Sequence, residues 1–119
     1  MKDFETYQET AVITQNKPKL VVMLYDGAIK FLKMAIKEIE AKNPEEKGKY
    51  INRAQDIINE LNAVLDMESG GETAMNLRRL YLFIDQHLTE ANIKQDIQKI
   101  EEVIKLLEEL NQGWKAISS

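Results

Sequence analysis

The stretch that most constrains the fold is the apolar surface between Leu20 and Ile39, which is too wide for a helix with one neighbour. At about 100° per residue, its apolar positions cover roughly 220–260° of the helix circumference, whereas a surface helix needs a stripe little more than about 100° wide. The narrow polar strip consists of Asp26, Lys30, Lys33 and Lys37. Gly27 lies within the apolar arc, where a missing side chain lets another helix approach closely. Such a helix either lies at the centre of a bundle or keeps a second apolar face for a partner outside the chain.

Composition limits the class of protein. The 119 residues suffice for one domain with a modest core, and 16 basic against 20 acidic residues give a net charge of −4, so we expect no nucleic-acid surface. No apolar run approaches the roughly 18 residues that span a bilayer. Residues 1–5 contain no apolar signal region, so we expect a cytoplasmic protein without membrane insertion. The absence of cysteine excludes disulfides, thiolate catalysis and cysteine-bound metal.

Periodicity and capping residues predict four long helices, near residues 17–42, 44–68, 72–91 and 93–117. Asn16, Asn43 and Asn92 are the expected N-caps. Gly70 and Gly71 are expected to end the second helix, because glycine readily adopts the left-handed conformation of a C-cap. The connections are short and therefore make neighbouring helices antiparallel. The predicted fold class is all-α, an antiparallel up-down four-helix bundle with an additional short N-terminal segment or helix.

The predicted core is drawn from one face of each helix. It consists of Leu24, Ala28, Leu32, Ile57, Leu61, Leu77, Ile84, Ile97 and Ile104. We treat residues 1–119 as a single domain, in which an N-terminal segment (1–15) caps the bundle (17–117). The segment is too short to be a stable helix unless Phe4 and Tyr7 dock. We expect it to cover part of a binding surface and to move when a partner binds.

The sequence predicts a non-enzyme with no cofactor and no metal. His87 is the only histidine, so the paired Glu-x-x-His motifs of a di-metal bundle are missing, and no glycine-rich phosphate loop is present. Asp26 and Glu38 have no partner that would make either a general acid or base. One alternative stays open, because a phosphotransfer domain presents a lone histidine such as His87 on a four-helix bundle. The neighbouring Asp85 and Glu90 would repel a phosphoryl group.

Large apolar side chains remain once the core is assigned. Met75 and Leu82 lie seven residues apart and share a face turned away from the core of the third helix, while Leu106 lies off the core stripe of the fourth. The first helix has one of two edges without a bundle neighbour: Tyr25, Ile29 and Ile36, or Leu20, Met23 and Met34. Apolar runs on several helices favour a surface that binds an amphipathic partner helix, and methionines adapt well to such contacts. The alternative is that the N-terminal segment covers them permanently.

An ordered set of short motifs runs from Tyr7 to Trp114. The first long helix carries Leu24-Tyr25-Asp26-Gly27-Ala28-Ile29. The other pieces are Tyr7, residues 54–61 (AQDIINEL), 65–72 (LDMESGGE), 76–81 (NLRRLY) and 88–92 (LTEAN), and Trp114. In this order and at these spacings, the set resembles the FliS family of flagellin-specific export chaperones.

This resemblance implies a cytosolic helical bundle that binds the C-terminal segment of flagellin. It also implies that the protein keeps flagellin from polymerising before secretion and helps deliver it to the flagellar export gate. We expect the disordered client segment to fold into helices against the apolar surface, since it must bury much apolar area to offset its ordering. The expected client contacts are Tyr7, Leu20, Met23, Tyr25, Asp26, Ile29, Met75, Leu82 and Leu106.

Overall fold

Four helices make up most of residues 13–118, the part of the chain that the computed structural model describes. They are α1 (Pro18–Glu40), α2 (Pro44–Ala63), α3 (Gly71–Lys94) and α4 (Ile97–Ser118). Both α1 and α3 pack against α2 and α4, whereas the backbones of α1 and α3 do not approach each other. Each helix therefore lies beside the next in the chain, and α4 returns to α1. This arrangement confirms the predicted all-α, up-down four-helix bundle.

Helix α1 has a packed neighbour on both of its edges. Phe31 stacks on Tyr50 of α2, with ring centroids 6.3 Å apart, and Asp26 on the opposite edge bonds to Asn111 of α4. A side chain added at Gly27 would place its Cβ 3.4 Å from Cδ1 of Ile57, so the glycine does allow α2 to approach closely. The wide apolar arc is thus mostly explained by two helix neighbours and the core between them.

The end of α2 differs from the expected boundary. The helix stops at Ala63 rather than near residue 68, because the following backbone pairs with residues 13–15 instead of continuing the helix. The Asp66 N–H donates to the Ile13 carbonyl at 2.8 Å, and the Gln15 N–H donates to the Val64 carbonyl at 3.0 Å. Thr14 and Leu65 form an isolated antiparallel bridge between these hydrogen bonds. Within residues 13–118, this bridge is the only β pairing.

The α3–α4 connection is also shifted. Asn92 was expected to cap α4, but α3 continues through it to Lys94. Buried Lys47 of α2 donates from Nζ to both the carbonyl and the side-chain oxygen of Asn92, each at 2.8 Å. Asp96 caps α4 instead, since its Oδ1 accepts the Lys99 N–H at 3.2 Å, and Gln95 makes the turn at a φ of 51°.

The first two helices begin close to the expected positions. Lys17, rather than Asn16, is the N-cap residue of α1, without a side-chain cap bond. Asn43 is the N-cap residue of α2 as predicted, but its amide donates to Glu38 Oε2 at 2.9 Å instead of capping the helix. Of the two glycines expected to end α2, Gly71 has the positive φ, 57°, at the start of α3. No helix within residues 13–118 combines the length and apolar character needed to cross a membrane.

The core runs along the middle of the bundle. Of its nine predicted members, five are buried: Ala28, Leu32, Leu61, Ile84 and Ile104. Leu24, Ile57 and Leu77 are only partly buried and pack around that core, and Ile97, in the first turn of α4, is also partly exposed. These four therefore lie at the edge of the predicted core rather than within it.

Replacing Leu61 or Ile84 by alanine tests the core. Both side chains are buried, so each substitution should lower the free energy of unfolding by about 2–5 kcal/mol through lost burial and an unfilled cavity. Chemical denaturation followed by circular dichroism measures the change. Leu20→Ala is the matched control, because Leu20 is 43% exposed and its truncation should cost much less. Equal losses at buried and exposed sites would contradict this core.

Candidate protein-binding surface

The exposed large apolar side chains of residues 13–118 lie on two helices only. They are Leu20 and Met23 on α1, and Met75, Leu82, Phe83 and Ile93 on α3. The sequence predicted four of the six as client contacts. Helices α2 and α4 contribute no member to this set. The exposed apolar faces of α1 and α3 therefore alternate around the bundle with the outer faces of α2 and α4, which expose no large apolar side chain.

Two pairs of these residues point directly away from the core. We call Leu20 and Met23 the α1 face, and Met75 and Leu82 the α3 face. Met23 lies nine residues before buried Leu32, and Met75 lies nine residues before buried Ile84. Nine residues at 100° each amount to half the helix circumference. Because α1 and α3 are diagonal partners, the two faces lie on opposite sides of the bundle, and only an extended partner could contact both.

A third apolar region lies in a groove between α3 and α4. The α3–α4 groove encloses about 390 Å³ and is lined by Phe83, His87, Glu102, Lys105, Leu106 and Glu109. The Phe83 ring stacks on His87 with centroids 5.0 Å apart. Leu106 is partly buried here. The predicted contacts omit Phe83, although an aromatic residue off the core stripe of an amphipathic helix is a recognisable sign of an exposed contact.

Tyr25 belongs to the core rather than to an exposed surface. Its side chain is fully buried, and its hydroxyl forms a 2.7 Å hydrogen bond with the hydroxyl of Tyr81 across the bundle. The indole ring of Trp114 lies beside it, with centroids 6.2 Å apart. Burial raises the pKa of both tyrosine hydroxyls, since the phenolate would lose its hydration. Ile29 is also buried, at 8% exposure. Two of the expected client contacts are therefore buried in the core.

Asp26 connects α1 to α4. Its Oδ1 accepts a 2.8 Å hydrogen bond from Asn111 Nδ2 and lies 3.6 Å from Lys115 Nζ. Asn111 is buried, and its own Oδ1 has no hydrogen-bond partner within the described part of the chain. The Asp26 side chain keeps about half of its exposure. It therefore supports the fold while remaining accessible from outside.

A cavity of about 550 Å³ lies along the junction of α1 and α4. Ile36 and Ile104 provide its apolar lining, and most other lining side chains are charged. Lys33 forms an exposed ion pair with Glu108 at its edge, at 3.5 Å. Within residues 13–118, no three histidine, aspartate or glutamate side chains cluster closely enough to hold a metal ion.

The His87 ring contacts the side chains of Glu102 and Phe83. Its Nε2 lies 2.9 Å from Glu102 Oε2, and its side chain is only 13% exposed. A phosphotransfer histidine must present a free ring nitrogen to its partner, whereas here a carboxylate lies against that nitrogen and would repel a phosphoryl group. This geometry does not favour the phosphotransfer alternative. Tyr7, the remaining expected contact, lies outside the described residues.

Comparison with known proteins adds a family match. The family model described as "Flagellar protein FliS" matches residues 1–119. The chain is 41% identical over 111 residues to the flagellar secretion chaperone FliS of Salmonella typhimurium, covering 92% of this chain and 82% of the relative. It is 38% identical over 122 residues to the flagellar secretion chaperone FliSB of Pseudomonas aeruginosa, covering 99% and 97%. The FliS of Bacillus subtilis is 32% identical over 112 residues, covering 94% and 83%.

The tyrosine pair can be tested with a double-mutant cycle. Tyr25→Phe and Tyr81→Phe should each lower the free energy of unfolding by about 1–3 kcal/mol, because each leaves a buried hydroxyl without its partner. The double variant should lose less than the sum of the single losses, since it leaves no unpaired hydroxyl of the pair. Chemical denaturation measures all four proteins. Strictly additive losses would show that the hydroxyls are not coupled.

The same pair predicts a loss of stability in alkali. The tyrosines ionise near pH 10 in the unfolded chain, while their pKa in the folded protein is raised by burial. The unfolded state therefore binds fewer protons above pH 10, so the tyrosines' contribution is complete below pH 10 and falls as pH rises above it. Denaturation midpoints at pH 9, 10 and 11 should fall more steeply for the wild type than for the double phenylalanine variant. Parallel slopes would contradict the assignment.

Proposed function

Since the chain belongs to the FliS family of flagellar proteins, we propose that it is a cytoplasmic export chaperone for the C-terminal segment of flagellin. Relatives of the same family are named flagellar secretion chaperones, which supports a role in flagellar export. The chaperone acts by binding and carries out no chemical reaction. Flagellin is its client, and the flagellar export gate is where it delivers that client.

The observation that carries this proposal is the placement of the exposed apolar residues. The α1 face and the α3 face lie on diagonal helices, each directed away from the core. A folded partner with one flat interface would reach only one of them. A disordered segment can wrap around the bundle, and it needs such an extended apolar surface because binding must offset the loss of its conformational freedom.

Binding of this kind explains how export and assembly are kept apart. An amphipathic client helix buries its apolar stripe against an apolar surface of the bundle. The terminal regions of flagellin would use those same stripes to assemble the filament. While the chaperone covers them, the subunit cannot polymerise and stays in a form that can be exported.

The start of the described chain supports a capping role for residues 1–15. Ile13 and Thr14 are held by the chain between Val64 and Gly70, beside the first turn of α3. A side chain at Gly70 would collide with the Asp66 carbonyl at 2.6 Å and come within 3.2 Å of the Ile13 Cα, so the close approach depends on glycine. These contacts fix Ile13 and Thr14 at the end of the bundle where α1 and α3 begin.

Charge placed on the α3 face tests the proposal. Met75→Asp with Leu82→Asp should weaken binding of a flagellin C-terminal peptide by at least about tenfold, since two buried contacts would each have to desolvate a carboxylate. Isothermal titration calorimetry measures the affinity. Helix content and melting temperature should remain close to those of the wild type, because both side chains are about half exposed.

A matched control exists on α2. Asn52→Asp with Asn59→Asp adds the same charge at the same seven-residue spacing, on exposed positions of a polar helix face. This control should bind the peptide with wild-type affinity. No binding by the wild-type protein would refute the flagellin assignment, whereas equal affinity of the wild type and the Met75/Leu82 variant would refute the α3 face.

A further inference from the structure

Two of the exposed apolar side chains differ chemically from the rest, because they are thioethers. Met23 is 63% exposed and Met75 is 46% exposed. The other methionines among residues 13–118 are less accessible: Met34 is partly buried, and Met67 packs against the core. Leu20 and Leu82, which complete the two faces, carry no group that a mild oxidant attacks. An oxidant reaching the surface would therefore modify one defined residue on each face.

The two methionines also occupy equivalent places in the bundle. Met23 lies in the second turn of α1, five residues after Pro18, and Met75 lies in the second turn of α3, four residues after Gly71. Since α1 and α3 run in the same direction in an up-down bundle, both sulfur atoms lie toward the same end. A client segment that wraps around this end would cover both.

We propose that Met23 and Met75 form a peroxide-sensitive modification site that weakens client binding when oxidised. The inference rests on the proposed function, because it assigns both residues to the client surface. The thioether sulfur attacks one oxygen of a peroxide, an S–O bond forms, and the O–O bond breaks. The sulfur loses two electrons and becomes a sulfoxide. The second peroxide oxygen leaves as water, which carries both protons of the hydrogen peroxide.

Oxidation changes the property on which binding depends. A methionine side chain adapts its flexible apolar chain to a partner, whereas the sulfoxide is polar and must be dehydrated when a client covers it. One sulfoxide on each face affects both parts of an extended interface. Bound client shields both sulfur atoms, so the modification acts on the empty chaperone and spares the loaded one. Methionine sulfoxide is reducible by sulfoxide reductases, which makes the change reversible.

The experiment uses the full chain, hydrogen peroxide and a flagellin C-terminal peptide. Peptide mapping by mass spectrometry follows oxidation of each methionine with and without the flagellin peptide. We expect Met23 and Met75 to oxidise at least about fivefold faster than Met34 and Met67, and the peptide to slow only the first pair. Titration calorimetry then compares affinities before and after oxidation, with circular dichroism confirming that the helices persist. Oxidised wild type should bind about tenfold more weakly.

Met23→Leu with Met75→Leu is the matched variant, since it keeps both faces apolar and retains Met1, Met34 and Met67. The affinity of the unoxidised variant serves as its own reference, and oxidation should change that affinity less than twofold. An equal loss in this variant would assign the effect to the remaining methionines and overturn the proposal, as would unchanged affinity of the oxidised wild type. Absence of binding by untreated wild type would instead refute the proposed function, and the role of oxidation with it.

Discussion

The bundle depends on the amount of apolar surface that α1 must bury. A helix with so wide an apolar arc is stable only if neighbours pack on both of its edges. Helix α2 packs on one edge, where Phe31 stacks on Tyr50, and α4 packs on the other, where Asp26 bonds to Asn111. With both edges occupied, α3 can lie only across the core, where Tyr81 meets Tyr25. What remains of the arc is the outermost strip with Leu20 and Met23. The demands of folding therefore determine which apolar side chains of α1 stay exposed.

Much of the fold could be predicted from the sequence, because helix periodicity and short connections leave few alternatives to an up-down bundle. The local boundaries could not, since they depend on contacts between distant residues. Asparagine is a residue type that favours the N-cap, yet Lys47, 45 residues before Asn92, donates hydrogen bonds to both of its oxygens, and α3 continues past it. The early end of α2 likewise depends on pairing with residues 13–15. Capping preferences of about 1 kcal/mol are readily overridden by such tertiary contacts.

The candidate surface, too, could be predicted from the sequence only in part. Met75 and Leu82 lie opposite a clear core stripe on α3, so their exposure follows from helix geometry alone. On α1 the apolar arc is so wide that periodicity cannot separate its buried edge from its exposed one. Residues of both edges were therefore expected as client contacts, and the structure buries Tyr25 and Ile29 while it exposes Leu20 and Met23. Only the positions of α2 and α4 decide between the two edges.

The hydrogen bond between Tyr25 and Tyr81 has a consequence for how the bundle comes apart. It joins residues 56 positions apart on α1 and α3, whose backbones do not touch. The bond therefore forms only while α2 and α4 hold α1 and α3 in place. Displacing α1 or α3 breaks the bond, and a partly assembled state that still buries either hydroxyl is destabilised by the unpaired group. Such a core favours cooperative, all-or-none unfolding over fraying one helix at a time. A rigid bundle of this kind is what the proposed disordered client needs as a template.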